Sequence, residues 1–173
     1  MNTPSTLLAP DTVRLERLLP GPVERVWAYI TESDKRAQWL AAGKFDLRVG
    51  GQVQLDFDNS SLPNDSDTPE KYRNLGKHQF TGVITRLEPM RLLAHTWKWD
   101  NSDTEVTYEL APRGKDVLLT IVHKRLTPRE LVMSVMGGWD THTGILEDIL
   151  KGVKPRSFWT THARLEMQYG AAA

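Results

Sequence analysis

The chain has no cysteine, which excludes disulfides, thiolate nucleophiles and metal sites built on sulfur. It has no excess of either charge, because 22 Lys and Arg balance 22 Asp and Glu over 173 residues. A dominant nucleic-acid or anionic-membrane partner therefore loses its usual electrostatic support, although local basic patches are compatible with neutrality. No apolar run is long enough to span a bilayer, and residues 1–10 carry neither the basic nor the apolar region of a secretory signal. These absences predict a soluble, cytoplasmic protein that neither binds nucleic acid nor inserts into a membrane. Catalytic signatures are also lacking. There is no GxSxG elbow and no HExxH pair, and Gly50-Gly51 is followed by neither the Lys-Ser/Thr pair nor the helix of a phosphate loop. No cofactor and no metal site is expected.

What the chain does contain is ordered alternation. Residues 1–11, rich in Thr, Ser and Pro, read as a flexible lead-in, with order beginning near Thr12. Val13, Leu15 and Leu19 then alternate with polar residues, the period of a half-buried strand. Pro22 suits a first helical position, and Val23, Val26, Trp27 and Ile30 form one helical stripe. Ser33 and Asp34 are placed to cap a second short helix carrying Trp39 and Leu40. Phe45, Leu47 and Val49, then Val53, Leu55 and Phe57, alternate about Gly50-Gly51 and predict a hairpin. Residues 58–76 are polar, punctuated by proline and too long for an ordinary connection, so they read as a surface loop or as a lid. Four more strands follow at 77–87, 91–99, 104–110 and 116–125, and their short turns imply an antiparallel meander.

A long helix is predicted from Pro128 to about Val153, capped by Thr127 with Glu130 completing a capping box and ended by Lys154-Pro155. Gly137 and Gly138 interrupt it at a cost of about 1 kcal/mol each relative to alanine. Close approach of the helix backbone to another surface, with Trp139 projecting into an apolar interior, would account for them. The tail at 154–173 holds Phe158, Trp159, Leu165, Met167 and Tyr169. That is too aromatic for disorder, so part of it is expected to pack back on the domain or to meet a partner subunit in a homodimer. The organisation is thus a lead-in at 1–11, one domain at 12–153 and a partly packed extension at 154–173.

Strand parity assigns an inner wall. His78 shares a face with Phe80 and Ile84, and His95 with Leu93, Trp97 and Trp99; Val106, Tyr108 and Leu110 share a third, and Val117, Leu119, Ile121 and His123 a fourth. The long helix opposes them with Val132, Val135, Met136, Trp139, His142, Leu146, Ile149 and Leu150. The candidate apolar lining of a ligand site is Trp39, Phe57, Phe80, Trp97, Trp99, Tyr108, Met136 and Trp139. His78, His95, His123 and His142 are candidate polar anchors; no carboxylate stands at a recognised ligand spacing beside them. Arg17 shares a face with Val13, Leu15 and Leu19, so it requires a carboxylate partner or an edge position, and the edge is the placement expected.

The segments Pro22-Val23-Glu24-Arg25-Val26-Trp27, Gln38-Trp39-Leu40, Phe45-Asp46-Leu47-Arg48-Val49-Gly50-Gly51 and Gly137-Gly138-Trp139 occur in that order. Together they resemble proteins related to the activator of the heat-shock-protein-90 ATPase, within the START-like, polyketide-cyclase-like (SRPBCC) superfamily. The resemblance implies an α+β helix-grip fold: a curved antiparallel sheet of about six or seven strands, two short helices after the first strand, and a long C-terminal helix across it. It also implies a cavity for a small hydrophobic or amphipathic molecule, such as a lipid, without assigned catalysis. The alternatives are an enzyme of cyclase, dehydratase or hydrolase type that uses an inward histidine or Arg17, and a stress-response module that contacts a chaperone.

Overall fold

Strand periodicity becomes one continuous sheet. The computed structural model describes residues 3–64, 77–99 and 102–172. Its strands are β1 (Thr3–Ala9), β2 (Thr12–Pro20), β3 (Gln52–Asp58), β4 (Lys77–Glu88), β5 (Leu92–Trp99), β6 (Ser102–Arg113) and β7 (Asp116–Lys124). They lie in the order β1-β2-β7-β6-β5-β4-β3, every neighbouring pair antiparallel. The meander therefore runs from β3 to β7, and β2 returns to pair with the last strand. Val13, Leu15 and Leu19 of β2 and Val117, Leu119 and Ile121 of β7 all turn inward and are buried. Each such side chain contributes about 1.5–3 kcal/mol through its removal from water.

Four helices complete the fold: α1 (Val23–Thr31), α2 (Ser33–Arg36), α3 (Arg129–Lys151) and α4 (Phe158–Ala172). At 1.5 Å per residue, α3 is roughly 35 Å long, and it packs on β1, β2 and α4. This is the helix-grip architecture. Pro128 occupies the cap of α3 without a side-chain hydrogen bond, so the helix begins one residue later than expected. The side chain of Glu130, assigned to a capping box, lies outside the described residues. At the other end Gly152 adopts φ 72°, and the N–H of Val153 donates to Asp148 O at 3.1 Å, a left-handed stop before Lys154-Pro155.

Two expectations are corrected, and the tail read as partly packed takes a definite form. The lead-in at 1–11 contains the edge strand β1, which pairs with β2 through Thr6↔Arg14 and Leu7↔Val13. Tertiary contacts hold it, since Ser5 donates from both its N–H and its Oγ to Asp140 on α3. The hairpin about Gly50-Gly51 is only half regular. Residues 45–49 make local turns, Arg48 N–H to Asp46 O and Gly51 N–H to Arg48 O, and touch β3 through one isolated bridge, Phe45↔Val53, with a second from Ala42 just before them to Asp56. The extension at 154–173 becomes helix α4, whose Phe158, Leu165 and Tyr169 form a buried stripe.

Two local features shape the wall of the sheet. A Cβ on Gly82 would stand 1.8 Å from Thr96 O, so only glycine allows β4 to approach β5 that closely. The β4–β5 register shifts just beyond, between Ile84 and Arg86. After β3 the chain makes a short 3-10 turn, Asn59–Ser61. Residues 65–76, the greater part of the segment read as loop or lid, lie outside the described residues.

Candidate functional site

The inner face of the sheet is divided into a filled half and an open half. Residues 36–45, following α1, fill the first. Arg36 is fully buried there and donates to three backbone carbonyls: Ala41 O and Ile30 O, each at 3.0 Å, and Gly43 O. Its guanidinium lies 3.7 Å from the centre of the Phe45 ring. Burial lowers its pKa to about 10, so it keeps its charge at neutral pH. Phe45 packs edge-on against His95 at 5.5 Å, which lies 5.7 Å from the Tyr108 ring. Trp39 is anchored in the same half by its indole N–H, which donates to Tyr29 O at 2.8 Å.

The other half is a cavity of about 400 Å³ between β3, β4, β5, β7, α3 and the start of α4. Of the residues singled out from sequence, Phe57, His78, Phe80, Trp97, His123, Trp139 and His142 line it. Trp39, His95, Tyr108 and Met136 do not. The first three belong to the filled half, and Met136 lies by β1, its carbonyl accepting from Ser5 Oγ at 3.3 Å. The Trp99 side chain lies outside the described residues. Sequence reasoning missed Leu40, Asn59, Ser134 and His162 as lining residues; it placed Val135 on the helix wall without naming it as lining, and it gave Gly138, Phe158 and Trp159 no part in the site. A signal for α4 did exist: Phe158, His162, Leu165 and Tyr169 recur at helical spacing.

Helix α4 closes the cavity because the chain fastens its first turn. The N–H of Phe158 donates to Pro63 O at 2.8 Å, and that of Trp159 to Asn64 Oδ1 at 3.0 Å. Phe158 then packs at a tilt against His142 at 5.1 Å and edge-to-face against Trp159 at 4.8 Å. The aromatic lining is continuous from there, with Phe57 5.9 Å from His142 and 5.5 Å from Trp97, and Trp97 6.0 Å from Trp139.

Three histidines are buried and held neutral. His95 donates from Nδ1 to Thr96 O at 2.8 Å, and Nε2 accepts from the Tyr108 hydroxyl at 3.4 Å. His123 accepts on Nδ1 from Trp139 Nε1–H at 3.1 Å. Its Nε2–H faces Thr104 Oγ1 at 2.8 Å, and that hydroxyl donates in turn to Trp97 O. His142 donates from Nδ1 to Trp39 O at 2.7 Å. Burial lowers all three pKa values, to about 4 for His95, about 3 for His123 and about 4 for His142. Among the described residues, no three His, Asp or Glu side chains gather closely enough to hold a metal ion.

Arg17 is not at an edge. It is buried and paired with Asp140 at 2.7 Å, because α3 brings a carboxylate across β2 that the helical stripe did not reveal. Asp140 also accepts from Ser5 N–H at 3.1 Å, Ser5 Oγ at 2.8 Å and the Tyr169 hydroxyl. Burial and this carboxylate together raise the pKa of Tyr169. One carboxylate thus joins β1, β2, α3 and α4 behind the cavity, leaving Arg17 committed to structure. The glycine pair behaves differently from the expected close approach. A Cβ on Gly137 would make ordinary contact with Tyr169 and Leu165, and one on Gly138 would meet nothing within 4 Å.

Comparison with known proteins places this geometry. No curated protein matches the chain. Among solved structures, the protein encoded by gene BPP1335 from Bordetella parapertussis is 38% identical, with a TM-score of 0.82 over 95% of this chain and 87% of its own. CalU16 from Micromonospora echinospora shares the fold at 22% identity and a TM-score of 0.68, over 99% of this chain and 96% of its own. DynU16, described as a putative protein in the dynemicin biosynthetic locus, does so at 23% and 0.65, over 84% of this chain and 49% of its own. Residues 20–151 match the family described as Activator of Hsp90 ATPase homolog 1-like protein, and the chain belongs to that family.

Proposed function

We propose that this protein binds one small hydrophobic or amphipathic molecule in the cavity between the sheet and α3, without transforming it. The supporting observation is the cavity itself: about 400 Å³ lined by Phe57, Phe80, Trp97, Trp139, Phe158 and Trp159, with a few polar groups among them. That composition is how small-molecule sites are ordinarily built. Neither of the buried lining imidazoles, that of His123 or that of His142, is suited to proton transfer. A general base works best with a pKa near the operating pH, and burial holds these two at about 3 and about 4. Both nitrogens of His123 are already bonded within the protein.

A partner subunit is not needed to complete the site, because the tail aromatics Phe158 and Trp159 close it from within the same chain. No helix among the described residues is long and apolar enough to cross a membrane. Native mass spectrometry of protein purified from its own host tests the reading. A non-covalent adduct is expected, and so is uptake of one equivalent of the neutral dye N-phenyl-1-naphthylamine after the adduct is stripped. Protein that emerges empty and takes up no dye would end the proposal.

A further inference from the structure

The polar groups of the cavity are specific about what they accept. Among the described residues, none that lines it is an Asp, Glu, Lys or Arg. The two arginines buried among the described residues are committed elsewhere, Arg17 to Asp140 and Arg36 to three carbonyls. An anionic ligand would therefore lose its hydration without gaining a countercharge. The lining residue His123 has no free position on its ring.

His142 is different. A carbonyl can only accept, so the 2.7 Å contact between Nδ1 and Trp39 O places the ring proton on Nδ1. Nε2 of this lining residue is then left as a lone-pair acceptor. A second acceptor is Oδ1 of Asn59, which is buried and has no donor among the described residues. Buried acceptors of this kind are expensive to leave unmade, and a ligand donor removes the penalty. Aromatic rings line the same cavity, Phe57 5.5 Å from Trp97 and Trp97 6.0 Å from Trp139. Flat π-systems suit such walls.

We propose that the ligand is a neutral, flat aromatic molecule that donates hydroxyl or N–H hydrogen bonds to Nε2 of His142 and Oδ1 of Asn59, and that carboxylates of the same size are rejected. This rests on the reading of the cavity as a binding site and adds the chemistry of its cargo. Acceptor sites discriminate strongly against ligands that lack the matching donor, because the protein group is then left buried and unpaired.

Isothermal titration at pH 7.5 with three two-ring probes tests it: 2-naphthol, its methyl ether 2-methoxynaphthalene, and 2-naphthoate. The naphthol is expected to bind tightest. The ether should be about tenfold weaker, the value of one hydrogen bond to a buried acceptor, and the naphthoate more than a hundredfold weaker. In His142→Asn the shorter amide keeps an N–H for Trp39 O and loses Nε2; 2-naphthol has one hydroxyl and donates one hydrogen bond at a time, so the naphthol-to-ether ratio, compared within the variant, should fall toward one where that bond is made to Nε2. Asn59→Leu, at a half-buried position on the turn after β3, should narrow the ratio where the bond is made to Oδ1 instead, and the two substitutions together should bring it to one; melting temperatures show which variants fold, and the naphthol-to-ether comparison in the unaltered protein stands without them. Equal affinities for naphthol and ether in the unaltered protein, or a ratio that survives both substitutions, would overturn donor recognition but leave a ligand cavity. Naphthoate binding as tightly as naphthol would overturn the neutral-ligand requirement. Failure of all three probes to bind would overturn both this inference and the binding reading beneath it.

Discussion

Glycine 138 lies on a long helix where alanine would be more stable, and its Cβ position opens into the cavity. A helix-interior glycine costs roughly 0.5–1 kcal/mol relative to alanine. At position 138 an added Cβ meets nothing within 4 Å, so no clash offsets the gain. Gly138→Ala should therefore stabilise the protein by about 1 kcal/mol, a rise of about 2–4 °C in melting temperature for a chain of this size. Gly138→Leu carries the argument further. Four added carbons, taken at about 30 Å³ per water-sized group, occupy on the order of 100 Å³. That is roughly a quarter of the 400 Å³ present. Burying that side chain adds about 1.5–3 kcal/mol, while ligand affinity should fall at least tenfold.

The control is its neighbour. A Cβ on Gly137 would lie 3.9 Å from Tyr169 Cδ2 and 4.0 Å from Leu165 Cβ, ordinary contacts away from the cavity. Gly137→Ala should raise stability equally and leave binding unchanged. Thermal melts followed by circular dichroism, with titration of 2-naphthol, distinguish the cases. A Gly138→Leu protein that melts lower than its parent has no space there, and one that binds the probe undiminished binds it elsewhere. Either result would refute the reasoning. The expected combination of higher stability and lost binding explains why glycine is useful at this position: the helix gives up stability to keep the cavity open.

Other consequences are equally measurable. Asp140→Asn leaves Arg17 buried beside a neutral group and should cost about 3–5 kcal/mol in urea unfolding, with faster amide exchange in β1 and α4; an unchanged midpoint would discount the junction. Phe158→Ala, at a side chain 1% exposed, should cost about 3–5 kcal/mol and enlarge the cavity; a loss under 1 kcal/mol would mean that α4 does not close it. Stability should also fall in acid. His95, His123 and His142 have folded-state pKa values of about 4, about 3 and about 4 against about 6.5 unfolded. The unfolded chain thus binds more protons, and the contribution of the neutral rings is complete above pH 6.5 and lost as pH falls toward 4. Three protons give a slope of up to about 4 kcal/mol per pH unit in that window. Around His142 the titratable group on α4 is His162, and His78 and His123 line the same cavity. A denaturation midpoint that stays flat between pH 7 and 5 would contradict neutral burial.

What the sequence determined by itself was the repertoire of elements. The alternation in β2 and β7, the turns between β4 and β7 and the helical stripe of α3 are local periodicities, and local sterics are enough to convert them into strands and a helix. Short connections then allow little besides a meander. Convergence was decided only in three dimensions. His95 and His123 look alike by strand parity, yet residues 36–45 cover the first and leave the second beside the cavity. Arg17 looked like an edge residue because its partner, Asp140, is 123 positions away. The edge strand β1 has little alternation and exists through its bonds to Asp140, and α4 becomes a wall of the site because Pro63 and Asn64 hold its first turn. The physical reason is common to all of these: periodicity is written in neighbouring residues, whereas burial of a charge or the sparing of a void depends on groups that only the closed fold brings together.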